Sequence, residues 1–274
     1  DIDTASISRN IVVNIPIVAD AKTALDEMLT HAAAVKSDAW VKSIDEWKKE
    51  IPITMSGYEG MTPEKIINKI NDLFPDSIVT TDVGQNQLWT TQYIRMDGKR
   101  QFLTSGGLGT MGYGLPAAIG ASIGNPGNPV ICISGDGGAQ MNIQELATAH
   151  ALETPVILCI FNNTYLGNVK QMQKMFYNKR YSSTCLRYSR SCNRQCRIDG
   201  TCTGRDYVPD FVKLAESYGC TGIRVENEAQ MDEAFKRAAE NTKSVTLIEF
   251  MLDCEYDVYP MVPGGAALSD MMFG

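Results

Sequence analysis

Two short polar motifs carry residues suited to binding a metal ion. Each motif follows an apolar run of the kind found in buried strands. The run 130–134 leads into Gly-Asp-Gly-Gly, which contains Asp136, and the run 155–161 ends at Asn162 and Asn163. Within one βαβ unit, adjacent strand ends lie about 4.8 Å apart, so Asp136 and Asn163 are expected to meet. Each motif alone is more typical of an ordinary turn or strand end. Together, a carboxylate, an amide oxygen and a nearby backbone carbonyl favour a Mg²⁺ site.

A glycine-rich stretch at 105–114 offers a second place where the backbone could approach a ligand. Gly107, Gly109 and Gly112 formally match the G-x-G-x-x-G fingerprint of dinucleotide-binding proteins. That fingerprint requires an acidic residue about 20 residues further on, at the end of the next strand. The first acid after the stretch is Asp136, which lies too far along and already belongs to the metal hypothesis. Nicotinamide binding is therefore disfavoured.

The loop 82–86 is the third candidate, because it follows an apolar run and precedes a helical pattern. Backbone N–H groups at such a helix start suit an anion. The alternative is an ordinary βα turn.

Short apolar runs alternating with helical patterns must position these loops. The runs lie at 77–81, 130–134, 155–161, 222–225 and 245–252. Thr62 and Pro63 suit the start of a helix that presents one apolar face and stops before Pro75. Val- and Ile-rich runs separated by helices predict an α/β fold: a doubly wound, mostly parallel sheet with helices on both faces, over residues 58–254. Such sheets bind ligands at the carboxyl ends of their strands.

The remaining residues are predicted to form flanking segments. Residues 1–19 resemble the end of a preceding domain, residues 20–57 a helical linker that contains Trp40 and Trp47, and residues 255–274 a lid or tail. The first residue is Asp1 rather than Met, and no signal-peptide pattern follows. We therefore expect a chain that begins inside a longer polypeptide.

Composition disfavours several classes of function. The net charge is −7 and the pI about 5.0, so binding to nucleic acid lacks electrostatic support. No apolar run approaches the ~20 residues of a membrane span, which predicts no membrane association. The only two histidines are His31 and His150, too few for a multi-histidine metal site.

The Gly-Asp-Gly to Asn-Asn arrangement resembles the thiamine-diphosphate fingerprint. The sequence outside these motifs is similar to the C-terminal cofactor domain of acetolactate synthase (acetohydroxyacid synthase) large subunits. The similarity is carried by Gly84-Gln85, by the run 104–120, by Phe176-Tyr177, by 209–216 and by Pro-Met-Val-Pro-Gly-Gly at 260–265. It extends over nearly the whole chain.

The resemblance implies a role for thirteen positions. Asp136, the side chain of Asn163 and the carbonyl of Tyr165 would hold Mg²⁺. Gly109 would bond the aminopyrimidine of thiamine diphosphate, and Met111 would support its thiazolium ring. The diphosphate and its surroundings would be lined by Val83, Gly84, Gln85, Asn86, Gly137, Gly138, Gly167 and Asn168.

The implied activity is decarboxylation of pyruvate and ligation of the resulting two-carbon unit to a second 2-ketoacid. FAD in the longer enzyme, a homodimer or tetramer, a small regulatory subunit and a cytoplasmic location are implied as well. The activating glutamate of the family belongs to a missing N-terminal domain, so we expect no catalytic residue here and no turnover by this chain alone. Another thiamine-dependent decarboxylase or oxidase, or a non-catalytic cofactor-binding module, remains the alternative.

Three positions depart from the family pattern. Asn86 stands where histidine is usual, and Asn168 and Met172 replace the Met or Leu and the Trp often found on the helix after the metal loop. The preferred second 2-ketoacid, which accepts the two-carbon unit, and the sensitivity to inhibitors are therefore left open.

A cysteine-rich insert at 185–205 exceeds the family pattern by about 20 residues. Its cysteines are Cys185, Cys192, Cys196 and Cys202, among several arginines. Because the spacing lacks a C-x₂-C pair, a plain loop with free thiols is favoured over disulfides, and both over a metal site. Its position after the helix that borders the site predicts a lid.

Overall fold

The structure is a computed structural model that describes residues 1–187 and 209–273. The chain divides into two compact units, Asp1–Pro52 and Ile53–Gly274. Of the predicted insert, Cys192, Cys196 and Cys202 lie outside the described residues, so the three interpretations of that segment remain open.

The first unit contains two helices, α1 (Ala21–His31) and α2 (Asp38–Glu50). The carboxylate of Asp20 caps α1 by accepting the N–H groups of Lys22 and Thr23, which have no carbonyl earlier in the helix. On α2, the rings of Trp40 and Trp47 meet edge to face with their centroids 5.4 Å apart. Neither helix contains a buried residue.

The second unit is built around a parallel sheet, to which the described residues contribute six strands in the order β2-β1-β3-β4-β6-β5. Every pairing in it is parallel. The strands are β1 (Ile78–Thr81), β2 (Gln101–Thr104), β3 (Val130–Gly135), β4 (Val156–Asn162), β5 (Thr221–Val225) and β6 (Thr246–Met251). Because β3, β4 and β6 are buried along nearly their whole length, their sequences read as continuous apolar runs.

Helices cover both faces of the sheet. They are α3 (Pro63–Leu73), α4 (Gln85–Tyr93), α5 (Gly114–Gly124), α6 (Asp136–Ala139), α7 (Glu145–Ala151), α8 (Gly167–Phe176), α9 (Phe211–Ser217) and α10 (Met231–Glu240). One apolar core joins the sheet to α3, α4 and α10 through Ile66, Trp89 and Phe235. The other joins it to α5, α7 and α9 through Leu115, Leu146 and Phe211. The predicted fold class is confirmed.

The predicted elements agree with the structure except at two places. Helix α3 begins as expected, with Thr62 as its cap and Pro63 at its first position, and it ends at Leu73. The five predicted strands are all present, with ends that differ by at most one residue. Strand β2 was not predicted, because it is a short edge strand with only partial burial. The Gly-Asp-Gly-Gly segment forms the helical turn α6 rather than an open loop.

Candidate functional site

A cleft of about 200 Å³ lies where the loops after β1, β3 and β4 meet. All thirteen residues that the family resemblance assigns to the cofactor and metal line this cleft: Val83, Gly84, Gln85, Asn86, Gly109, Met111, Asp136, Gly137, Gly138, Asn163, Tyr165, Gly167 and Asn168. Its other lining residues are Trp89, Gly135, Phe161, Leu166 and Val169. The structure therefore brings together every residue that the family resemblance assigns to the cofactor and the metal.

The loop after β1 is fixed by Asp82, a buried residue to which the sequence analysis gave no role. Its carboxylate accepts N–H groups from Val83 at 2.8 Å and from Gly112 at 3.0 Å, and Gly114 donates to it at 3.3 Å. These bonds tie the glycine-rich stretch, which includes Gly109, to the end of the strand. An acid directly after an apolar run was the signal that could have identified it.

Helix α4 begins at the cleft, directly after Gly84. Gly84 has φ = +147°, and a Cβ there would lie 2.8 Å from the Oδ1 of Asn86, so only glycine fits. Asn86 is buried, and its Nδ2 donates to the carbonyls of Asp82 at 2.9 Å and Ile133 at 3.0 Å. Since the side-chain donors of Asn86 serve the fold, the groups that this helix start offers a ligand are main-chain N–H groups.

The predicted metal ligands converge from β3 and β4. Asp136 is 2% exposed, and burial raises the pKa of its carboxyl to about 7, against the opposing effect of backbone hydrogen bonds from Gly137 and Thr164. The Oδ1 of Asn163 accepts the N–H of Tyr165 at 3.1 Å, and its Nδ2 donates to Gln85 at 3.2 Å. The side-chain oxygen of Asn163 is thereby held in a defined direction.

The donor set and the glycines of the cleft both fit a metal-bound diphosphate. One carboxylate, one amide oxygen and one main-chain carbonyl are the hard donors that Mg²⁺ prefers. A Cβ on Gly137 would lie 2.5 Å from the Leu166 side chain, and one on Gly138 would lie 2.6 Å from the carboxylate of Asp82. Both glycines therefore pack directly against neighbouring side chains, so the loops that line the cleft can lie this close together only with glycine at these positions.

The turn between β4 and α8 carries two of the predicted metal ligands and an unusual backbone. Thr164, which lies between Asn163 and Tyr165, has φ = +62°, a conformation that β-branched residues rarely adopt. Its carbonyl accepts the N–H of Leu186 at 2.9 Å, and Thr184 accepts the N–H of Leu166 at 2.8 Å. The turn is thus paired with the segment that leads into the cysteine-rich insert.

Two glutamines join the cleft to the C-terminal tail. The Nε2 of Gln85 donates to Gln171 on α8 at 2.9 Å and to the carbonyl of Tyr256 at 3.2 Å. Gln171 also exchanges hydrogen bonds with the N–H and carbonyl of Val258, at 2.9 and 2.8 Å. The sequence analysis missed Gln171 and Tyr256, because nothing local in the sequence distinguishes them from surface residues.

Charged side chains fix the same tail to α8. The Nζ of Lys174 lies 2.7 Å from Asp257, and the Nζ of Lys170 lies 2.6 Å from Glu255 and 4.9 Å from the centre of the Tyr165 ring. Tyr256, Asp257 and Val258 are buried. The first residues of the predicted lid are therefore packed into the domain, and whether the tail acts as a lid stays a prediction.

Asn168, at the start of α8, contributes a buried polar atom to the cleft. Within the described residues, its Oδ1 has no hydrogen-bond partner. A buried acceptor without a donor costs about 1–3 kcal/mol, so the position is suited to a ligand that brings a donor.

Other kinds of site receive no support from the described residues. No three His, Cys, Asp or Glu side chains in residues 1–187 and 209–273 are grouped as a metal site. In the same part of the chain, no helix combines the length and the apolar character needed to cross a bilayer.

Comparison with protein families gives a match to the model described as thiamine pyrophosphate enzyme, C-terminal TPP binding domain. The match covers residues 82–250, from the end of β1 to the last strand of the sheet. It includes all thirteen cleft residues named above.

Curated proteins give a more detailed likeness. The chain is 38% identical to a probable acetolactate synthase large subunit of Methanococcus aeolicus, over 99% of this chain and 45% of that protein. It is 36% identical to the acetolactate synthase large subunit of Cyanidium caldarium and to the acetolactate synthase isozyme 3 large subunit of Escherichia coli (strain K12). Those two matches cover 99% of this chain and 44% and 46% of the relatives. The chain spans slightly less than half the length of these relatives.

Proposed function

Because the chain belongs to the thiamine pyrophosphate enzymes, as their C-terminal TPP-binding domain, we propose that its cleft holds the diphosphate end of thiamine pyrophosphate (thiamine diphosphate) through Mg²⁺. We propose further that it is the cofactor domain of an acetolactate synthase large subunit. The main support is that thirteen residues assigned by resemblance, from positions 83 to 168, line one cleft.

Mg²⁺ is assigned to Asp136, the side-chain oxygen of Asn163 and the carbonyl of Tyr165. These three residues would hold the ion, and the ion would in turn neutralise charge on the diphosphate. The donors lie directly after the carboxyl ends of two adjacent central strands, both of which are buried. Buried strands fix the position of these strand ends, which suits Mg²⁺ because it demands nearly ideal geometry.

The diphosphate is assigned to the space between the starts of α4 and α8. The main-chain N–H groups of Gln85 and Asn86 lie in the first turn of α4, where the helix has no internal acceptors for them. Gly167 and Asn168 lie at the corresponding end of α8. Both helix starts stabilise negative charge, and none of the described residues that line the cleft is an arginine or a lysine.

The glycine-rich stretch is assigned to the rings of the cofactor, with Gly109 at the aminopyrimidine and Met111 beneath the thiazolium. When bound, thiamine diphosphate supplies the carbon nucleophile that decarboxylates a 2-ketoacid and joins the remaining unit to a second one. The residues of this chain bind and orient the cofactor, and the catalytic acid–base group is proposed to come from sequence corresponding to the rest of the relatives' length.

Several features of the whole protein belong to the same proposal. They are pyruvate and a second 2-ketoacid as substrates, FAD in the longer protein, a homodimer or tetramer, and a cytoplasmic location. A small regulatory subunit is proposed because the relatives are named as large subunits.

Titration calorimetry of the chain with thiamine diphosphate, with and without Mg²⁺, tests the site. We expect binding that requires Mg²⁺ and is lost in Asp136→Ala. The control is Glu233→Ala, which removes an exposed carboxylate on α10, away from the cleft. Binding by Asp136→Ala with unchanged affinity would refute the ligand assignment.

The reaction is tested on a longer protein in which the segments present in the relatives precede this chain. We expect that protein to form 2-acetolactate from pyruvate, and the 274-residue chain to form none. Release of acetaldehyde or acetate alone would favour another thiamine-dependent decarboxylase or oxidase. Mg²⁺-dependent binding without any turnover would favour a binding module.

A further inference from the structure

A line of polar side chains crosses the carboxyl ends of β4, β6 and β5, outside the residues assigned to the cofactor. The Nδ2 of Asn162 donates to the Oε1 of Glu249 at 2.7 Å, and the Nε of Arg224 donates to its Oε2 at 2.8 Å. Arg224 also contacts the carboxylate of Asp210, the cap of α9, at 2.9 Å. We call Asn162, Glu249 and Arg224 the strand-end relay.

Glu249 is the central member of the strand-end relay and is 2% exposed. An ionised carboxylate accepts hydrogen bonds and donates none. Asn162 must therefore turn its NH₂ group towards Glu249, which leaves its Oδ1 facing the opposite way. There it accepts the N–H of Thr164 at 3.0 Å.

That last bond holds the turn with the left-handed backbone. Thr164 is β-branched, has φ = +62° and separates Asn163 from Tyr165, the two metal ligands proposed on this turn. A conformation of this kind costs of the order of 1–3 kcal/mol and persists only where surrounding bonds determine it. The bond from the Thr164 N–H to Asn162 is one of these, and its direction is set by Glu249.

We propose that Glu249 is a positioning residue for the metal-binding turn: as an acceptor on both sides, it orients the Asn162 amide and thereby the backbone that carries Asn163 and Tyr165. The inference rests on the proposed function, since it assumes that this turn binds Mg²⁺. Groups that hydrogen-bond directly to metal ligands commonly change metal affinity by about 10–100-fold when replaced. Glu249 acts through Asn162 and Thr164, so we expect an effect at the lower end of that range.

Glu249→Gln tests the direction of the hydrogen bonds at nearly constant side-chain volume. The Nε of Arg224 requires an acceptor, so the glutamine oxygen turns towards it and the glutamine NH₂ faces Asn162. The Asn162 amide then flips, and its own NH₂ opposes the N–H of Thr164. The turn loses its bond to Asn162 although each side chain is still present, and the Thr164 N–H keeps only its hydrogen bond to Asp136.

Arg224→Met is the matched control when made alone and the rescue when combined with Glu249→Gln. Alone, it breaks the ion pair but leaves Glu249 an acceptor, so the Asn162 amide keeps its orientation. In the double variant Glu249→Gln/Arg224→Met, the glutamine oxygen is free to turn to Asn162. The double variant is therefore expected to bind Mg²⁺ better than Glu249→Gln. If the two substitutions only damaged the structure, the double variant would bind Mg²⁺ less well than Glu249→Gln.

The measurement is the Mg²⁺ concentration that half-saturates binding of thiamine diphosphate, followed by quenching of tryptophan fluorescence because Trp89 lines the cleft. Urea unfolding of each variant reports stability separately. We expect Glu249→Gln to raise this concentration about tenfold or more. Arg224→Met and the double variant should stay within about threefold of the wild type.

Each outcome supports or overturns the proposed role of Glu249. An unchanged Mg²⁺ requirement in Glu249→Gln, or no recovery in the double variant, overturns the role of Glu249 while the metal site stands. If Glu249→Gln does not fold, Asn162→Ala removes the side-chain amide acceptor of the Thr164 N–H and leaves it only its hydrogen bond to Asp136. An unchanged requirement in that variant overturns the role of Glu249 equally. If the wild type binds without Mg²⁺, the proposed function fails, and this inference fails with it.

Discussion

Both carboxylate oxygens of Asp82 accept the main-chain N–H of Gly112, each at 3.0 Å, which joins the end of β1 to the glycine-rich stretch 30 residues later. The N–H of Gly114 donates to the same carboxylate at 3.3 Å. Because Asp82 is 1% exposed, water does not compete for these hydrogen bonds.

Asp82→Ala should therefore both destabilise the domain and weaken the cofactor site. It leaves buried N–H groups without an acceptor, at a cost of about 3 kcal/mol in the free energy of unfolding. It also releases the stretch that carries Gly109 and Met111. Urea unfolding and calorimetry with thiamine diphosphate and Mg²⁺ measure the two effects. Asp82→Asn, which keeps one acceptor oxygen, should show smaller effects, and a loss of stability with unchanged affinity would contradict the link to the site.

Gly138→Ala should cost about 2–3 kcal/mol of stability. The added Cβ would lie 2.6 Å from the Oδ1 of Asp82, which cannot move without breaking its bonds to Gly112. Gly120→Ala is the matched control: it lies in α5 and its Cβ would meet nothing within 4 Å. Alanine is the better helix former, so this change should add about 0.5–1 kcal/mol. Equal effects in the two variants would argue against the close packing at Gly138.

Lys174→Met should loosen the C-terminal tail from α8. It leaves the carboxylate of Asp257, which is 8% exposed, without its cation at 2.7 Å. We expect a loss of about 1–3 kcal/mol and faster proteolysis within residues 253–273, both relative to wild type. Lys65→Met removes an ion pair of similar length, 2.8 Å to Glu228, between half-exposed partners. Its cost should be about 1 kcal/mol or less. Proteolysis of the tail at the wild-type rate in Lys174→Met would contradict the anchoring role.

The thiols of Cys132 and Cys159 should not react while the domain is folded. They lie in the adjacent strands β3 and β4, fully buried, and burial raises the pKa of Cys132 to about 12 and that of Cys159 well above its usual value. Since the thiolate is the reactive form and appears only as pH rises through the pKa, almost none exists at pH 8. Iodoacetamide labelling followed by mass spectrometry should modify both residues only after unfolding. Labelling in the native protein at pH 8 would contradict this burial.

How far the sequence predicted the site depended on whether the relevant signal was local. Asp136 and Asn163 were paired correctly in space because each directly follows an apolar strand, and the ends of parallel strands meet at one edge of the sheet. Whether they bind Mg²⁺ remains a prediction. The same reasoning singled out the loop 82–86 after β1 but gave the side chain of Asp82 no role of its own.

The residues that were missed depend on contacts far apart in the chain. Glu249 lies inside the apolar run 245–252, where a single acid gives no sign that Asn162 and Arg224 will meet it. Gln171 bonds Gln85 and Val258, positions 86 and 87 residues away. Strand β2 was missed for another reason: its partial burial gives it no continuous apolar run.

The bond from Gln85 to the carbonyl of Tyr256 spans 171 positions of the chain. Between these residues lie all the strands after β1 and most of the helices, so the cleft is not complete until almost the entire domain has been synthesised. A chain still emerging from the ribosome exposes the glycine-rich loops long before Glu249 or Tyr256 exists. The cofactor binding proposed above therefore requires nearly the whole domain to be present.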